Sequence, residues 1–395
     1  MNIKKALVCL VFTLFFVTAS SVHAAGTESR YFVQSTSQFW EKSFQARNIF
    51  DTGFTADLSG WQLNVAKLVG IQVTPVKKLN ILATVSKKTP TPTPTPVKPV
   101  AKTPTAQIPW GVKALYGDTL NDAGPSGGEG VNVAVLDTGA LVTHPDLKTQ
   151  VIACDDFSGF NAFVKNSCDD KNGHGTLVAG VIAGNAGFAG KGIYGVAPQA
   201  NLMIYKVCAN DGTCFEDDVA VAIRYAVDNN ANVILLSLGS DSDSSLIDDA
   251  ISYATSKDVI VIAAAGNDGP YTGSIDYPAS NADVVSVGAV DSTLTVPDWS
   301  ARGNNEASTS YSKDTGDLEL VGPGVNIEST SNIGDYTTSS GTSMSAAHIA
   351  GLAAKEWQVD AEHPAEATRE LLHKFSQDVL PLGDDNASGW GMPQL

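Results

Sequence analysis

The sequence predicts an α/β fold: a doubly wound parallel sheet with helices on both faces, carried behind a smaller front module. Three observations lead there. Nearly continuous apolar runs recur through the long C-terminal part. Segments with helical periodicity alternate with them. A Pro/Thr-rich stretch separates this part from what precedes it. Strands buried on both faces of a parallel sheet lose the polar/apolar alternation and read as unbroken apolar runs. Repeated alternation of such strands with helices implies crossover units and a doubly wound sheet.

In chain order, Val131-Asn132-Val133-Ala134-Val135-Leu136 reads as the first strand, and 176–183 as the helix after it. Leu202-Met203-Ile204-Tyr205 is a weaker strand, followed by a helical pattern over 215–227. Asn232-Val233-Ile234-Leu235-Leu236 and Val259-Ile260-Val261-Ile262-Ala263 are strands with the helix 245–255 between them. Val284-Val285-Ser286-Val287 is a further, weaker strand, and 343–357 a final helix. Ligands of such sheets bind beyond the carboxyl ends of the strands. Asp137 follows one run directly, and Asn267 follows another across Ala264-Ala265-Gly266, so both fall on that edge.

Upstream, Lys4 and Lys5 precede the apolar run Ala6 to Val17, and Val22-His23-Ala24 is a small-residue cleavage site. Residues 1–24 therefore read as a secretory signal, with Cys9 lost along with it. The apolar run is short for a membrane span, and no later segment reaches the roughly 20 apolar residues a spanning helix needs. A retained N-terminal anchor is the alternative. Residues 88–106 form the linker, centred on Thr89-Pro90-Thr91-Pro92-Thr93-Pro94-Thr95-Pro96. Repeated Pro favours extended polyproline backbone, so this linker is semi-rigid and exposed. It divides the exported chain into a front module, 25–87, and a large module, 107–395, long enough to bury one full core.

Charge divides the same way. Residues 1–106 hold 12 Lys and Arg against 4 Asp and Glu, whereas 107–395 hold 13 against 38. The acidic module repels nucleic acid and anionic membranes, so neither is an expected partner. The basic front part can be attracted to it; acidity that only aids solubility is the plainer reading. Cys154, Cys168, Cys208 and Cys214 remain after the signal, and an even count in an exported chain suggests disulfides. Proximity favours Cys154–Cys168 and Cys208–Cys214, with four free thiols as the alternative.

Three short motifs supply the chemistry: Val135-Leu136-Asp137-Thr138-Gly139, Asn172-Gly173-His174-Gly175-Thr176 and Gly341-Thr342-Ser343-Met344-Ser345. A serine hydroxyl is a weak nucleophile at neutral pH and needs an adjacent base. The base in turn needs a carboxylate to fix its tautomer and stabilise the imidazolium. Asp137, His174 and Ser343 are these three types. Ser343 at a helix start faces free backbone N–H groups that favour developing negative charge. Asn267, in Ala265-Gly266-Asn267-Asp268-Gly269, is a candidate donor to an oxyanion. Singly, each motif is more often a turn, a loop histidine or a helix cap. Together, in order, on strand ends and helix starts, they point to one site.

With these motifs the large module resembles the subtilisin-type serine proteases, whose triad runs in the order Asp, His, Ser. The resemblance implies Asp137, His174 and Ser343 as the triad and Asn267 as the oxyanion residue. It implies Ser237-Leu238-Gly239 as the segment that pairs with substrate backbone. Tyr277-Pro278, Val321-Gly322-Pro323-Gly324 and the ending Gly389-Trp390-Gly391-Met392 also match family landmarks. Departures are Ala347 in place of a usual Pro, Gly322 in place of a common Ala, and an insertion near Arg302–Ser310. None removes a catalytic atom. In the front module, Phe50-Asp51-Thr52-Gly53-Phe54-Thr55-Ala56-Asp57-Leu58-Ser59, Gln62-Leu63 and Gly70-Ile71-Gln72-Val73 resemble the small α+β inhibitory prodomain of these enzymes. That implies an intramolecular chaperone and transient inhibitor, removed by self-cleavage in or near the linker. An unrelated binding module is the alternative.

The resemblance also implies structural calcium. Asp146, in His144-Pro145-Asp146-Leu147, matches a family ligand, and Asn185 in the 184–193 loop is a further candidate. Calcium takes several oxygen ligands including a carboxylate. Asp276, just before Tyr277-Pro278, falls near the base of the primary specificity pocket, where a carboxylate favours Lys or Arg before the scissile bond. Pointing to solvent, or binding a cation, are its other readings. The expectation is thus a secreted serine endopeptidase, made as a self-processed zymogen, with protein or peptide substrates. A non-catalytic scaffold is disfavoured by four intact positions. A lipase or esterase would carry Gly-x-Ser-x-Gly and the order Ser, Asp, His.

Overall fold

Alternate residues of one strand, Phe54, Ala56 and Leu58, organise the front of the chain by sharing a face with Val33, Phe44 and Ala66. The computed structural model describes residues 29–82, 103–159, 162–187, 190–305, 314–379 and 383–395. The expected signal segment with Cys9, residues 25–28 and 83–87 of the expected front module, residues 88–102 of the linker and residues 306–310 of the expected insertion lie outside the described residues. The chain forms two compact units, one ending at Pro75 and one beginning at Val76.

In the first unit, strands β1 (Ser29–Val33), β2 (Ile49–Phe50), β3 (Gly53–Leu58) and β4 (Val73–Pro75) form an antiparallel sheet in the order β2-β3-β1-β4. Helices Gln38–Phe44 and Gly60–Val69 pack against β3, giving a small α+β unit. The second helix starts at a capping box. Gln62 N donates to Ser59 Oγ, and Ser59 N donates to Gln62 Oε1 at 2.9 Å.

The second unit holds β5 (Lys78–Ile81), β6 (Asn132–Asp137), β7 (Val151–Asp156), β8 (Val164–Lys165), β9 (Asn201–Lys206), β10 (Thr213–Phe215), β11 (Val233–Leu236), β12 (Leu238–Gly239), β13 (Ile260–Ala264), β14 (Val284–Val290) and β15 (Leu320–Pro323). Eight of them make one sheet in the order β15-β14-β13-β11-β6-β9-β7-β8. All its neighbours run parallel except β7 and β8. Side chains alternate across it. Val133, Val135, Leu202, Ile204, Val233, Leu235, Ile260 and Ile262 join the core under helices His174–Ala183 and Thr342–Lys355. Their neighbours Leu136, Tyr205, Ile234, Leu236 and Val261 are buried too, on the opposite face. Helices Glu216–Asp228 and Ser245–Ser256 pack against each other and against β6 and β13 respectively. The sheet is therefore covered on both faces, as the unbroken apolar runs predict.

From β6 the chain proceeds toward β9, and from β11 toward β13 on the other side, so a switch point lies between adjacent β6 and β11. Their carboxyl ends, Asp137 and the Leu236–Ser237 junction, are where such a sheet leaves a crevice. Two disulfides join Cys154 to Cys168 and Cys208 to Cys214, spanning 14 and 6 residues. β7 was not legible in the sequence because Asp155 and Asp156 interrupt its apolar run near the sheet edge.

Candidate active site

Asp137 closes β6 and His174 opens its helix, and two glycines let these ends meet. Gly173 caps the helix at φ 105°. A Cβ on Gly175 would stand 2.1 Å from the Gly139 carbonyl oxygen, so only glycine allows this approach. His174 Nδ1 lies 2.8 and 2.9 Å from the two Asp137 carboxylate oxygens, with both residues buried. Thr138 N also donates to Asp137 Oδ1 at 2.7 Å. The other ring nitrogen, His174 Nε2, is buried and makes no hydrogen bond among the described residues.

Two residues that sequence reasoning missed fix this corner. Asp170, 4% exposed, accepts from Thr138 Oγ1, Asn172 N, Gly173 N, Thr176 N and Thr176 Oγ1 at 2.6–3.0 Å. It ties the turn after β6 to the first turn of the His174 helix. An anionic acceptor is favoured at that helix end. Lys206, at the end of β9, donates through Nζ to the carbonyls of Thr138 and Cys208 at 2.7 and 2.9 Å. Burial lowers its pKa, opposed by Asp156, Asp170, Asp137 and Asp169. Both residues lie in polar stretches that read as solvated loop and strand end.

Ser343 is the second residue of the Thr342–Lys355 helix and is fully buried. Asn267, three residues past β13, is braced against that helix start: its Oδ1 accepts from Thr342 N at 3.0 Å and from Thr342 Oγ1 at 3.2 Å. The amide is thus fixed with Nδ2 turned outward. That Nδ2 donates to the Leu82 carbonyl at 2.7 Å, and Ser343 Oγ donates to the same oxygen at 2.8 Å. Ser343 Oγ also reaches the Ser237 carbonyl at 3.3 Å.

Leu82 arrives on a strand. β5 inserts between β10 and β12, antiparallel to both. Leu238 pairs with Ile81 and Gly239 with Asn80. Ile81 N donates to the Gly212 carbonyl and Leu82 N to the Ser237 carbonyl, each at 3.1 Å. An extended segment of the chain thus fills the cleft and places the Leu82 carbonyl between Asn267 and Ser343. A Cβ built on Gly239 would lie 3.1 Å from Leu82 Cδ1 and 2.8 Å from Asp276 Cβ, so both side chains line one pocket. Burial, with Asp268 and Asp241 nearby, pushes the Asp276 carboxyl up to about 7.

Asp146 and Asn185 adjoin one another elsewhere, Asn185 N donating to the Asp146 carbonyl at 3.1 Å. Asp146 Oδ2 accepts from Ile193 N and Tyr336 Oη, each at 2.8 Å. Its Oδ1 is buried with no partner among the described residues. The Asn185 amide donates to Thr149 Oγ1 and Gln150 Oε1, and its Oδ1 accepts from Gly187 N.

A family profile described as the Subtilase family matches residues 128–391. The chain belongs to the subtilase family. A subtilisin from Bacillus sp. (strain TA39) is 42% identical over 357 residues, 86% of this chain and 83% of that protein. Subtilisin Savinase from Lederbergia lenta is 37% identical over 287 residues, covering 72% of this chain and 96% of that one. Among solved structures, a psychrophilic protease matches with TM-score 0.70 at 44% identity, over 74% of this subtilase and 99% of that chain. Sphericase matches with TM-score 0.70 at 41% identity, with the same coverage. As a subtilase the protein is a serine endopeptidase acting on protein or peptide substrates. The cleft that gathers Asp137, His174, Ser343, Asn267, Ser237, Leu238, Gly239 and Asp276 lies at the carboxyl ends of the central strands.

Proposed function

We propose that this subtilase is a secreted endopeptidase that matures by cutting its own chain after Leu82. Residues 1–24 are the signal, 25–87 the inhibitory and chaperone module, of which the cut would release 25–82, 88–106 the linker and 107–395 the catalytic domain. The observation that carries the reading is the Leu82 carbonyl oxygen, 2.7 Å from Asn267 Nδ2 and 2.8 Å from Ser343 Oγ. A scissile carbonyl needs an oxyanion donor and the nucleophile beside it; attack then requires Ser343 Oγ to turn its proton from the Leu82 oxygen to His174 Nε2.

In the reaction, Ser343 Oγ adds to the carbonyl carbon while His174 Nε2 takes its proton. Asp137 holds His174 Nδ1–H and stabilises the imidazolium. Asn267 Nδ2 and the Ser343 N–H bind the oxyanion. Collapse breaks the C–N bond, His174 returns the proton to the leaving nitrogen, and water then hydrolyses the acyl-enzyme by the reverse sequence. Ser237, Leu238 and Gly239 align substrate as they align Asn80, Ile81 and Leu82. Asp276 selects for Lys or Arg before the scissile bond when ionised, while the leucine in the same pocket argues that an apolar residue is also accepted. Opposite charge on the front part and the catalytic domain supports transient inhibition before release.

Calcium fits the Asp146 site. The buried Asp146 Oδ1 has no hydrogen-bond partner among the described residues, and an anionic oxygen in that state suits a calcium ligand. Asp146, with Asn185 and carbonyls of the 184–193 loop, would hold the ion, which supplies rigidity rather than chemistry.

The test is to express the full chain beside Ser343→Ala and measure intact masses. The expected result is a fragment beginning at Ala83 from the wild type only. If both chains stay whole, and the wild type neither digests casein nor reacts with a serine-directed phosphonate, the reading fails.

A further inference from the structure

Three carboxylates crowd the far wall of the pocket that receives Leu82. Asp241 follows β12, Asp268 follows Asn267, and Asp276 is held to the Ala265 carbonyl through its backbone N–H at 2.8 Å. One carboxylate oxygen from each lies within 4.8 Å of the other two. Oxygens sharing a calcium ion at about 2.3–2.6 Å stand no more than about 5 Å apart, so this spacing suits a common ion. No hydrogen-bond donor among the described residues reaches any of the three side chains. Asp276 is only 5% exposed and is aimed into the cluster. A buried carboxylate without donors or counter-charge is strongly unfavourable. Two more carboxylates beside it add repulsion.

The occupant of the pocket sharpens the problem. The Leu82 side chain brings a methyl group, not a cation, to the wall that Asp276 shares with Gly239. A leucine beside Asp276 requires either that the carboxyl be protonated, as its upward shift to about 7 allows, or, at higher pH, that something other than substrate balances the acidic charge. Asp241 and Asp268 are exposed, leaving room for water to complete an oxygen shell.

We propose that Asp241, Asp268 and Asp276 bind a divalent cation of the calcium class at the edge of the primary pocket, and that this ion sets the pocket's preference. With the ion bound, the pocket is balanced and takes an apolar side chain such as leucine. Without it, the same carboxylates draw a substrate Lys or Arg. The proposal rests on the reading of this cleft as the substrate cleft and deepens it.

Two measurements test it. First, calcium is titrated by calorimetry into full-chain Ser343→Ala, with and without Asp241→Asn and Asp268→Asn. One binding event fewer in the triple variant is expected; equal stoichiometry overturns the proposal. Second, kcat/KM is measured at about pH 9, where free carboxyls are ionised. Two peptides are used that differ only in Leu or Lys before the cleaved bond, across a range of calcium. The Leu-to-Lys ratio is expected to rise about tenfold or more with calcium in the wild type, and to stay flat in Asp241→Asn/Asp268→Asn. A structural ion at Asp146 changes both rates together and leaves the ratio alone. An active wild type whose ratio ignores calcium overturns the proposal. A wild type inactive on both peptides overturns the cleft reading itself.

Discussion

Asp170 and Asp276 are buried alike, 4% and 5% exposed, yet their surroundings are opposite. Asp170 accepts from five donors supplied by Thr138, Asn172, Gly173 and Thr176. Asp276 accepts from none among the described residues and faces Asp241 and Asp268. A buried charge saturated by its own chain is a scaffold part, complete as folded. One left without donors from its own chain holds its proton to higher pH or takes a partner from outside the chain. One end of the cleft is thus preassembled to hold His174, and the other is open to substrate or ion.

The largest effect is expected from breaking the preassembled end at its reacting pair. Asp137→Asn keeps the size of the side chain but removes the charge that fixes and stabilises His174. Turnover on a peptide substrate should fall about 10⁴-fold with the fold intact. A fall under about tenfold would mean that another group orients His174.

Asp170→Ala should come next. It strips the acceptor from five donors and leaves them buried, at a cost of about 3 kcal/mol or more. Thermal unfolding of the variant in a Ser343→Ala background should drop by roughly 6–12 °C. Turnover of the active form should fall as well, since Thr138 and the His174 helix lose their common anchor. Unchanged stability would erase the distinction between the two carboxylates.

How much of this was legible follows from the same physics. The strands with unbroken apolar runs, β6, β11 and β13, announce themselves because both faces are buried. Asp137, His174, Ser343 and Asn267 stand in glycine-bearing motifs at predicted strand ends and helix starts, so type and position agree. Asp170 was invisible because Cys168-Asp169-Asp170-Lys171-Asn172 has the composition of a solvated loop. Only the folded turn reveals five converging donors. Val76–Leu82 reads in the sequence as part of the front module, since nothing in its composition says that it lies in a cleft formed by residues far along the chain. Asp241 and Asp268 are exposed loop acids, and their meeting with Asp276 is purely tertiary.

A third buried carboxylate, Glu319, shows the intermediate case of a counter-charge from the same chain. Arg369 Nε donates to its Oε1 at 2.7 Å, Arg369 Nη2 to its Oε2 at 2.5 Å, and His373 Nε2 lies 2.7 Å from Oε1. Burial would raise its pKa, but Arg369 and His373 outweigh that and hold it down to about 2. A depressed carboxyl contributes stability above its unfolded value, near 4.5, that is lost as pH falls toward 2. The loss is about 3 kcal/mol across that window. His348 acts earlier: burial lowers its pKa to about 4, so below about 6.5 the unfolded chain takes a proton that the native chain refuses. Asp276 and Asp384, raised to about 7 and about 6, act the other way over the same range, because each takes up a proton in the native chain before it does in the unfolded one. The His348 contribution is therefore read as a difference: the stability of Ser343→Ala relative to Ser343→Ala/His348→Gln in urea should fall as pH drops from about 6.5 to 4, and a difference that stays constant across that range would remove His348 as a source.

The smallest effect is expected where the comparison is most exposed to failure. In chelator, Asp268→Asn removes a carboxylate that accepts no hydrogen bond among the described residues and lies beside two other carboxylates. The full-chain Ser343→Ala protein should keep its stability within about 0.5 kcal/mol, with any change toward greater stability. With calcium present the sign should reverse, because the unsubstituted protein gains binding energy that the variant lacks. Paired denaturation curves in chelator and in calcium read both signs from one protein preparation. A loss above about 1 kcal/mol in chelator would make Asp268 a scaffold residue like Asp170, and the contrast between the two ends of the cleft would collapse.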